Sequence, residues 1–298
     1  MHTKLIKNLE GKLEAANLLP LRKQAELSTQ VLQERLELIL PWAMKESGLD
    51  FWVIASRENN MDPVLKTLYT WDMPDVRRES VLVFIKDEGD QIRKIALGPI
   101  SPEMGKIYER DQEVGETPWQ ALVRLVDEYQ PEQIGINLST TDGFCDGLSA
   151  SLYQELKNAL GSRASKLQSA EALSLRWLQR ITPLEQRVLK ILVELTQEII
   201  KFAFSTDFIE VGKTTTTDVE WLMRDLINRL GFSFWFGPDV DLQRRGSTIS
   251  RMFNEVIHKG DLLHCDIGLK PLYIQLHTDM QWVAYLLQDG ETSAPKEF

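Results

Sequence analysis

The most informative stretch of this sequence is GDLLHCDIG at positions 260–268, which is followed closely by LHTDMQ at positions 276–281. Each stretch contains an aspartate, Asp266 in the first and Asp279 in the second. Asp266 lies within an apolar run that ends at Ile267, where an unpaired carboxylate would cost free energy. It therefore needs a partner, for which a bound metal is one candidate and a backbone group or an arginine is the other.

The residues around the two aspartates predict a shared polar surface. Alternate residues of a strand face the same side, so His264 faces the side of Asp266 while Cys265 faces away. By the same parity His277 shares a side with Asp279. A hairpin that pairs the two strands would bring two carboxylates and two imidazoles together, a set of ligands that suits manganese, zinc or cobalt. An aspartate beside a turn also commonly accepts hydrogen bonds from the backbone of that turn. The two aspartates therefore have a purely structural alternative interpretation.

Composition and charge narrow the class of protein. The chain has 298 residues, of which 43% are hydrophobic and 26% charged, as is typical of a soluble globular protein. A net charge of −10 argues against a nucleic-acid partner, and the arginine pairs at 77–78 and 244–245 are expected to be solvated surface charge. No apolar run is long enough to span a bilayer, and the N-terminus lacks a secretory signal. Cys145 and Cys265 are too few for a disulfide framework, which favours a reducing, cytoplasmic location.

The first half of the sequence predicts an α/β domain. Apolar residues at helical spacing predict helix up to about residue 48, which Gly48 ends and Pro41 kinks or splits. Strands that alternate with helices then predict a mainly parallel or mixed sheet that ends near residue 178. The predicted strands lie at 51–55, 80–85 and 134–137, and the predicted helices at 117–129 and 149–160.

The second half contains sharper signals for helix starts. TPLE at 182–185 is a capping box with proline at the first helical position, and it predicts a long helix to about Phe204. TDVE at 217–220 predicts a second capping box, whose helix ends at Gly231. Strands are then predicted at 232–236, 261–267 and 278–287. The predicted order is two helices followed by three strands.

These segments together resemble the M24 metallopeptidases, a family that includes aminopeptidase P, prolidase, methionine aminopeptidase and creatinase. GDLLHCDIG at 260–268 and LHTDMQWVAY at 276–285 resemble the first metal-binding hairpin of the family, and RITPLE at 180–185 resembles the entry to its catalytic domain. The likeness begins at about residue 25, because the first half resembles the creatinase-type N-terminal domain. The matching segments in that half are GLDFWVI at 48–54, RENNMDP at 57–63 and DGLS at 146–149.

The resemblance implies a particular domain layout. It places an N-terminal extension at residues 1–27 and an α/β creatinase-like domain at 28–178. Residues 179–298 would form the first half of an α+β "pita-bread" catalytic domain. Creatinase has this fold without using a metal, so the fold alone does not determine the reaction.

The resemblance also implies a divalent metal site. The family holds two ions, for which manganese, zinc and cobalt are the candidates here, between two aspartates, a histidine and two glutamates, and the ions activate a bridging water. Carried over, Asp266 binds or bridges one metal and Asp279 bridges both, with His264 and His277 as accessory candidates. The remaining His, Glu and Glu ligands belong to the second half of the fold, beyond position 298. No catalytic residue is assigned.

Three features depart from the family's pattern. Asp266 and Asp279 stand thirteen positions apart, two more than the family's pair. Pro271 and Leu272 resemble a two-residue insertion near the turn, and an even insertion leaves the facing side of each strand unchanged. The family places a substrate-facing histidine before the first aspartate, whereas residues 243–256 contain no histidine.

The sequence leaves three functional hypotheses open. The first is a metal-dependent peptidase that removes an N-terminal residue or an Xaa-Pro dipeptide from a peptide, and that needs further residues from a longer product or a second polypeptide. The second is a non-catalytic, peptide-binding or dimerising remnant, for which an open sheet edge and an exposed apolar face predict a homodimer. The third is a local site at His264, Asp266, His277 and Asp279 that binds one metal without peptidase activity. No nucleic-acid or membrane partner is expected.

Overall fold

The computed structural model describes residues 2–87, 89 and 91–296, and the chain divides into two compact units. The central unit comprises Ser28–Leu184, and the terminal unit comprises Met1–Leu27 together with Glu185–Phe298. Positions 1, 88, 90, 297 and 298, which include the last residue of the predicted catalytic half-domain, lie outside the described residues. Among the described helices, none is long and apolar enough to cross a membrane.

The chain begins with three helices, as the apolar spacing predicts. They are α1 (His2–Ala15), α2 (Leu21–Leu38) and α3 (Leu40–Ser47). Pro41 lies in the first turn of α3, so the helix is split just before it rather than bent. Gly48 ends α3 with φ 69°, the left-handed conformation that glycine adopts without strain.

A five-stranded mixed sheet forms the centre of the central unit. Its strands are β1 (Phe51–Arg57), β2 (Glu79–Lys86), β3 (Ile92–Leu97), β4 (Ile134–Ile136) and β5 (Leu167–Ser169). Their order is β3-β2-β1-β4-β5, in which β1 is antiparallel to β2 and parallel to β4. The prediction of a mixed sheet is confirmed. The sequence did not indicate β3 or β5, because Arg93 and Lys94 interrupt the apolar residues of β3 and β5 has only three residues.

Helices cover both faces of this sheet. They are α4 (Pro63–Lys66), α5 (Pro118–Tyr129), α6 (Ala150–Leu160) and α7 (Glu171–Gln179). Trp52 and Phe84 are buried against α3, α4 and α7, whereas Val53 and Val83 are buried against α5 and α6. Thr117 opens α5 with the predicted cap, accepting a hydrogen bond from the backbone N–H of Gln120. The central unit is therefore a helix–sheet–helix sandwich.

The terminal unit has the predicted order of two helices and three strands. These are α8 (Pro183–Ala203), α9 (Thr216–Arg229), β6 (Phe232–Arg244), β7 (Asp261–Pro271) and β8 (Met280–Tyr285), and the strands form an antiparallel sheet in the order β6-β7-β8. The capping box of α9 lies two residues before its predicted position: Thr215 and Asp218 form it, not Thr217 and Glu220. Thr215 has an extended backbone (φ −96°, ψ 162°), so its side chain can reach the first free N–H groups of the helix.

Residues at the start of the chain pack within the terminal unit. Gln24 donates to the carbonyl oxygen of Leu18 at 3.3 Å and accepts a hydrogen bond from the N–H of Tyr273 at 3.1 Å. Gly231 has φ 76°, and a Cβ atom there would lie 3.0 Å from a methyl group of Leu21. No local pattern in the sequence indicates that this segment joins the last third of the chain.

Candidate functional site

The pairing of β6, β7 and β8 places five polar side chains on one side of the sheet. On β6, Asp239 lies opposite Asp266 of β7, and Asp241 lies opposite His264 of β7. On β8, Gln281 lies opposite Asp266 as well. Directly opposite residues of paired strands share a side. We call these five residues the acidic face. The other side of β7 carries buried residues, among them Cys265, as parity predicts, and burial raises the pKa of its thiol to about 12.

Asp266 is half-buried on the acidic face. Its Oδ2 accepts a hydrogen bond from Gln281 Nε2 at 3.3 Å. Its Oδ1 is buried and has no hydrogen-bond partner among the described residues. A buried carboxylate oxygen without a donor costs free energy, and a cation is one of the partners that could offset that cost.

Asp279 is exposed and lies one residue before β8. The ladder between β7 and β8 continues past the strand end, because Thr278 N–H donates to Leu269 O at 2.9 Å and Thr278 Oγ1 accepts from Leu269 N–H at 3.1 Å. This register places Asp279 opposite Gly268. Residue 268 must be glycine, because a Cβ atom there would overlap the ring of Trp235.

The two accessory histidines have different neighbours. His277 is exposed, and its ring centroid lies 5.6 Å from that of Trp235. Nδ1 of His264 lies 2.9 Å from Oδ2 of Asp241. Asp266, Asp279, His264 and His277 do not meet as a metal cluster in this structure, since the described residues contain no group of three or more His, Cys, Asp or Glu that could hold an ion.

Among the residues of the acidic face, Asp241 accepts the largest number of hydrogen bonds described here for one side chain. Its side chain is only 1% exposed, and its Oδ2 accepts from Arg251 Nε at 2.9 Å, from Arg251 Nη2 at 2.6 Å and from His264 Nδ1. A carboxylate oxygen accepts in such a contact, so Nδ1 of His264 acts as the donor and Nε2 is the ring nitrogen that faces away from Asp241. Sequence reasoning missed Asp239, Asp241 and Arg251, because it ended the first strand at Phe236.

A second arginine, Arg244, links the end of β6 to the start of β7. Arg244 donates to both oxygens of Asp261 at 2.8 Å, and it also donates to Val256 O at 2.8 Å. Asp261 is buried and accepts a further bond from the backbone N–H of His258 at 2.8 Å. The prediction that Arg244 is solvated surface charge was wrong, because its guanidinium neutralises a buried carboxylate.

The segments RENNMDP and DGLS meet in the central unit at a buried aspartate. Asp62 Oδ1 accepts from the backbone N–H groups of Val64 and Leu65 at 2.7 and 3.1 Å, and Asn137 Nδ2 donates to Asp62 Oδ2 at 3.0 Å. Gly147 packs against this carboxylate so closely that a Cβ atom there would overlap it. These two segments therefore cap α4 and hold it against the sheet, which is a structural role.

The described residues supply part of the ligand set that the resemblance implies. Asp266 and Asp279 would be two of the five ligands that the resemblance implies, and Asp241 already accepts three hydrogen bonds. The unpartnered Oδ1 of Asp266 suits a cation, but the ligands present do not form a dinuclear centre in the described part of the chain. We therefore derive no reaction step that runs through a metal.

Comparison with known proteins shows the fold. No protein-family model matches the sequence, and no match was found among curated proteins. Among solved structures, the chain is similar to an Xaa-Pro dipeptidase from Bacillus anthracis (TM-score 0.60, 17% identity, 86% of this chain and 66% of that chain). It is also similar to an X-Pro aminopeptidase from Thermotoga maritima (TM-score 0.61, 15% identity, 83% of this chain and 66% of that chain). A third similar structure is the His354Ala form of Escherichia coli aminopeptidase P (TM-score 0.55, 14% identity, 87% of this chain and 62% of that chain).

These similarities show the fold of the chain and how much of each solved structure it covers. The chain is a mixed α/β protein with a five-stranded mixed sheet and a three-stranded antiparallel sheet, and it spans roughly two thirds of the length of the Xaa-Pro dipeptidase and X-Pro aminopeptidase structures. It spans less than two thirds of the length of the aminopeptidase P structure.

Proposed function

We propose that this protein is a metal-dependent peptidase of the Xaa-Pro class, to whose metal centre this chain contributes Asp266 and Asp279. It would remove an N-terminal residue or dipeptide from a peptide substrate, with manganese, zinc or cobalt as the ion. The observation that carries the proposal is the buried Oδ1 of Asp266, which has no hydrogen-bond partner in the described part of the chain and lies on a hairpin within a fold similar to that of Xaa-Pro peptidases. The further ligands would come from residues other than those that the structure describes.

The proposal includes a finer description of the fold. Residues 28–178 would be a creatinase-like domain, and residues 179–298 would be the first half of a pita-bread domain. The mixed sheet of the central unit and the order of two helices and three strands in the terminal unit support this assignment. Residues 1–27 belong to the terminal unit, and the hydrogen bond between Gln24 and Tyr273 supports a role for this segment in holding the half-domain together.

Hydrolysis of Xaa-Pro peptides by the product of the natural gene tests the proposal. We expect turnover that depends on added manganese, zinc or cobalt and that falls at least about a hundredfold in Asp279→Ala, an order of magnitude typical of losing a group that holds a catalytic charge. Asp279 is exposed, so its replacement should leave folding unchanged. Asp289→Ala is the matched control, since Asp289 is an exposed aspartate of the same unit that pairs with Lys259.

Three outcomes separate the hypotheses. Turnover that Asp279→Ala leaves unchanged would contradict the assignment of this residue. No turnover by the natural gene product with any of the three metals would contradict peptidase function. Turnover by the 298-residue chain alone would contradict the proposal that further ligands come from elsewhere, because it would show that the chain's own residues suffice.

A second candidate function is a non-catalytic module that dimerises or binds peptides. The observation that favours it is the edge strand β8, in which Trp282 is 38% and Val283 57% exposed. No charged residue occurs from Met280 to Tyr285, although charges and prolines are the usual protection of such edges. This edge could accept a strand from a second copy of the chain or from a peptide.

A further inference from the structure

A groove on the terminal unit lies between α9 and the loop that precedes this helix. Its volume is about 460 Å³, which falls within the range of roughly 300–1,000 Å³ that is usual for small-molecule sites. The apolar floor of the groove consists of Phe208 from the loop and Leu222 and Leu226 from α9. The two leucines lie one helical turn apart and are buried. The floor therefore offers a small apolar surface to a ligand.

One wall of the groove is the indole ring of Trp221, whose side chain is 62% exposed. The guanidinium of Arg224 lies 5.8 Å from the centroid of this ring, and Arg224 Nη2 donates to Pro238 O at 3.2 Å. The indole is thus held in place by a side chain that is itself tied to β6. Because exposure of so large an apolar ring to water costs free energy, a ligand that covers it gains affinity.

Four charged side chains line the groove, and two of them are already engaged within the chain. Lys213 pairs with Glu210 at 2.8 Å, and Asp218 forms the capping box of α9. For the side chains of Asp225 and Arg229, in contrast, the described residues provide no hydrogen-bond or ion-pair partner. One carboxylate and one guanidinium in the same groove are therefore available to a ligand.

The spacing of these two charges restricts what they can bind together. Asp225 and Arg229 are four residues apart in α9, which places their Cβ atoms about 5–6 Å from each other. An ammonium group can donate to the carboxylate, and a carboxylate can accept two parallel hydrogen bonds from the guanidinium. A ligand that meets both groups must carry its own two charges only a few bonds apart, as a free α-amino acid does.

We propose that this groove binds a free α-amino acid with an apolar side chain, such as leucine. Asp225 accepts from its ammonium group, and Arg229 donates to its carboxylate. The apolar side chain of the ligand packs against Trp221 and the floor of the groove. The proposal goes beyond the peptidase function, because the groove shares no residue with the acidic face or with Asp279.

NMR titration of the purified protein with L-leucine tests the proposal, with the indole N–H signal of Trp221 as the probe. The signal that disappears in Trp221→Phe assigns it. At about pH 6.5, where the α-amino group is charged, we expect this signal to shift along a saturable curve. Asp225→Asn and Arg229→Gln should each weaken binding about fivefold, which is the effect of losing one exposed charge pair.

Asp289→Asn is the matched control for the change in net charge. Asp289 is an exposed aspartate of the same unit that pairs with Lys259 and does not line the groove. Its replacement should leave the affinity for leucine unchanged. Asp279→Ala should also leave it unchanged, whereas loss of binding in that variant would overturn the proposal by placing leucine at the proposed metal site.

Two blocked forms of leucine identify which charge each residue meets. N-acetyl-L-leucine lacks the ammonium group, so it should bind at least about fivefold more weakly than leucine, and Asp225→Asn should not weaken it further. L-leucine amide lacks the carboxylate, so it should also bind more weakly, and Arg229→Gln should not weaken it further. These ligands keep the proposal testable on the unchanged protein if a variant does not fold.

Three results would overturn the proposal. The first is no saturable shift of the Trp221 signal with leucine, and the second is a binding curve that neither charge variant moves. The third is equal affinity of the unchanged protein for leucine and for both blocked forms. Hydrolysis of peptides does not enter the test, so its outcome is independent of the peptidase function.

Discussion

Asp62 shows how one buried carboxylate couples the stability of the central unit to pH. Burial raises its pKa from 3.8 to about 6, although hydrogen bonds from Asn137, Leu65 and Val64 act in the opposite direction. A raised carboxyl pKa means that the folded state holds the proton more tightly than the unfolded chain does. The stabilisation is therefore complete below pH 3.8 and is lost as pH rises to about 6.

We predict that the free energy of unfolding falls by about 2 kcal/mol between these pH values through this group alone. Asp62→Asn cannot titrate, so the difference between its pH profile and that of the unchanged protein isolates the effect. Urea unfolding at about pH 4 and about pH 7, on either side of the transition, measures it. Parallel profiles of the two proteins would contradict the prediction.

The ion pair between Arg244 and Asp261 makes a prediction for the terminal unit. Asp261→Ala should lower the free energy of unfolding by about 3 kcal/mol, because the arginine loses its buried carboxylate and the N–H of His258 loses its acceptor. Asp289→Ala, which breaks an exposed pair with Lys259, should change it by less than about 0.5 kcal/mol. Urea denaturation of the two variants checks this, and equal effects would contradict it.

Local sequence patterns predict which side of a sheet a side chain faces better than they predict which other side chains it contacts. Parity along β7 correctly directed Cys265 into the core. It could not find the contact of Asp241 with Arg251, because β6 has register shifts between Phe234 and Asp239 that break the simple alternation of a strand. The partner of a charged side chain depends on chain turns that no short pattern encodes.

At the scale of elements, the start of α9 offers a direct comparison of two threonines. Thr215 makes the cap, so Thr215→Ala should lower the free energy of unfolding by about 1 kcal/mol. Thr217 lies inside the first turn and contacts Asn254 through an exposed hydrogen bond, so Thr217→Ala should have the smaller effect. Thermal or urea unfolding of both variants decides between them, and a larger effect at Thr217 would contradict the assignment.

The edge strand β8 makes a prediction about association. An exposed apolar strand without charges is a template for pairing, so we predict that the 34.3 kDa chain forms a dimer through this edge. Val283→Lys adds a charge at the most exposed apolar position of the strand and should shift the protein to a monomer. Sedimentation equilibrium measures the mass. A monomer before the substitution, or a dimer that survives it, would contradict this interface.

Elements with strong local signals were predicted, and elements that depend on neighbours were not. The cap of α5 and the split before α3 follow from Thr117 and Pro41. β5 has only three residues and exists because β4 offers it a parallel edge. β7 continues to Pro271 because β6 pairs with it over that length.

At the scale of the whole molecule, the two units differ in how far sequence could describe them. The α/β organisation of the central unit follows from alternating strand and helix patterns. The packing of the first 27 residues with the terminal unit depends on contacts between segments far apart in sequence, such as that of Gln24 with Tyr273. The solved structures confirm the resemblance at the level of a mixed α/β fold, which they match over most of this chain.

The proposed metal site needs Asp266 and Asp279 to bind the same ion or pair of ions. Anomalous diffraction from crystals of the natural gene product, grown with Mn²⁺, tests it most directly. We predict manganese within coordination distance of the carboxylates of both Asp266 and Asp279. Saturating Mn²⁺ with no anomalous peak at these carboxylates would contradict the account.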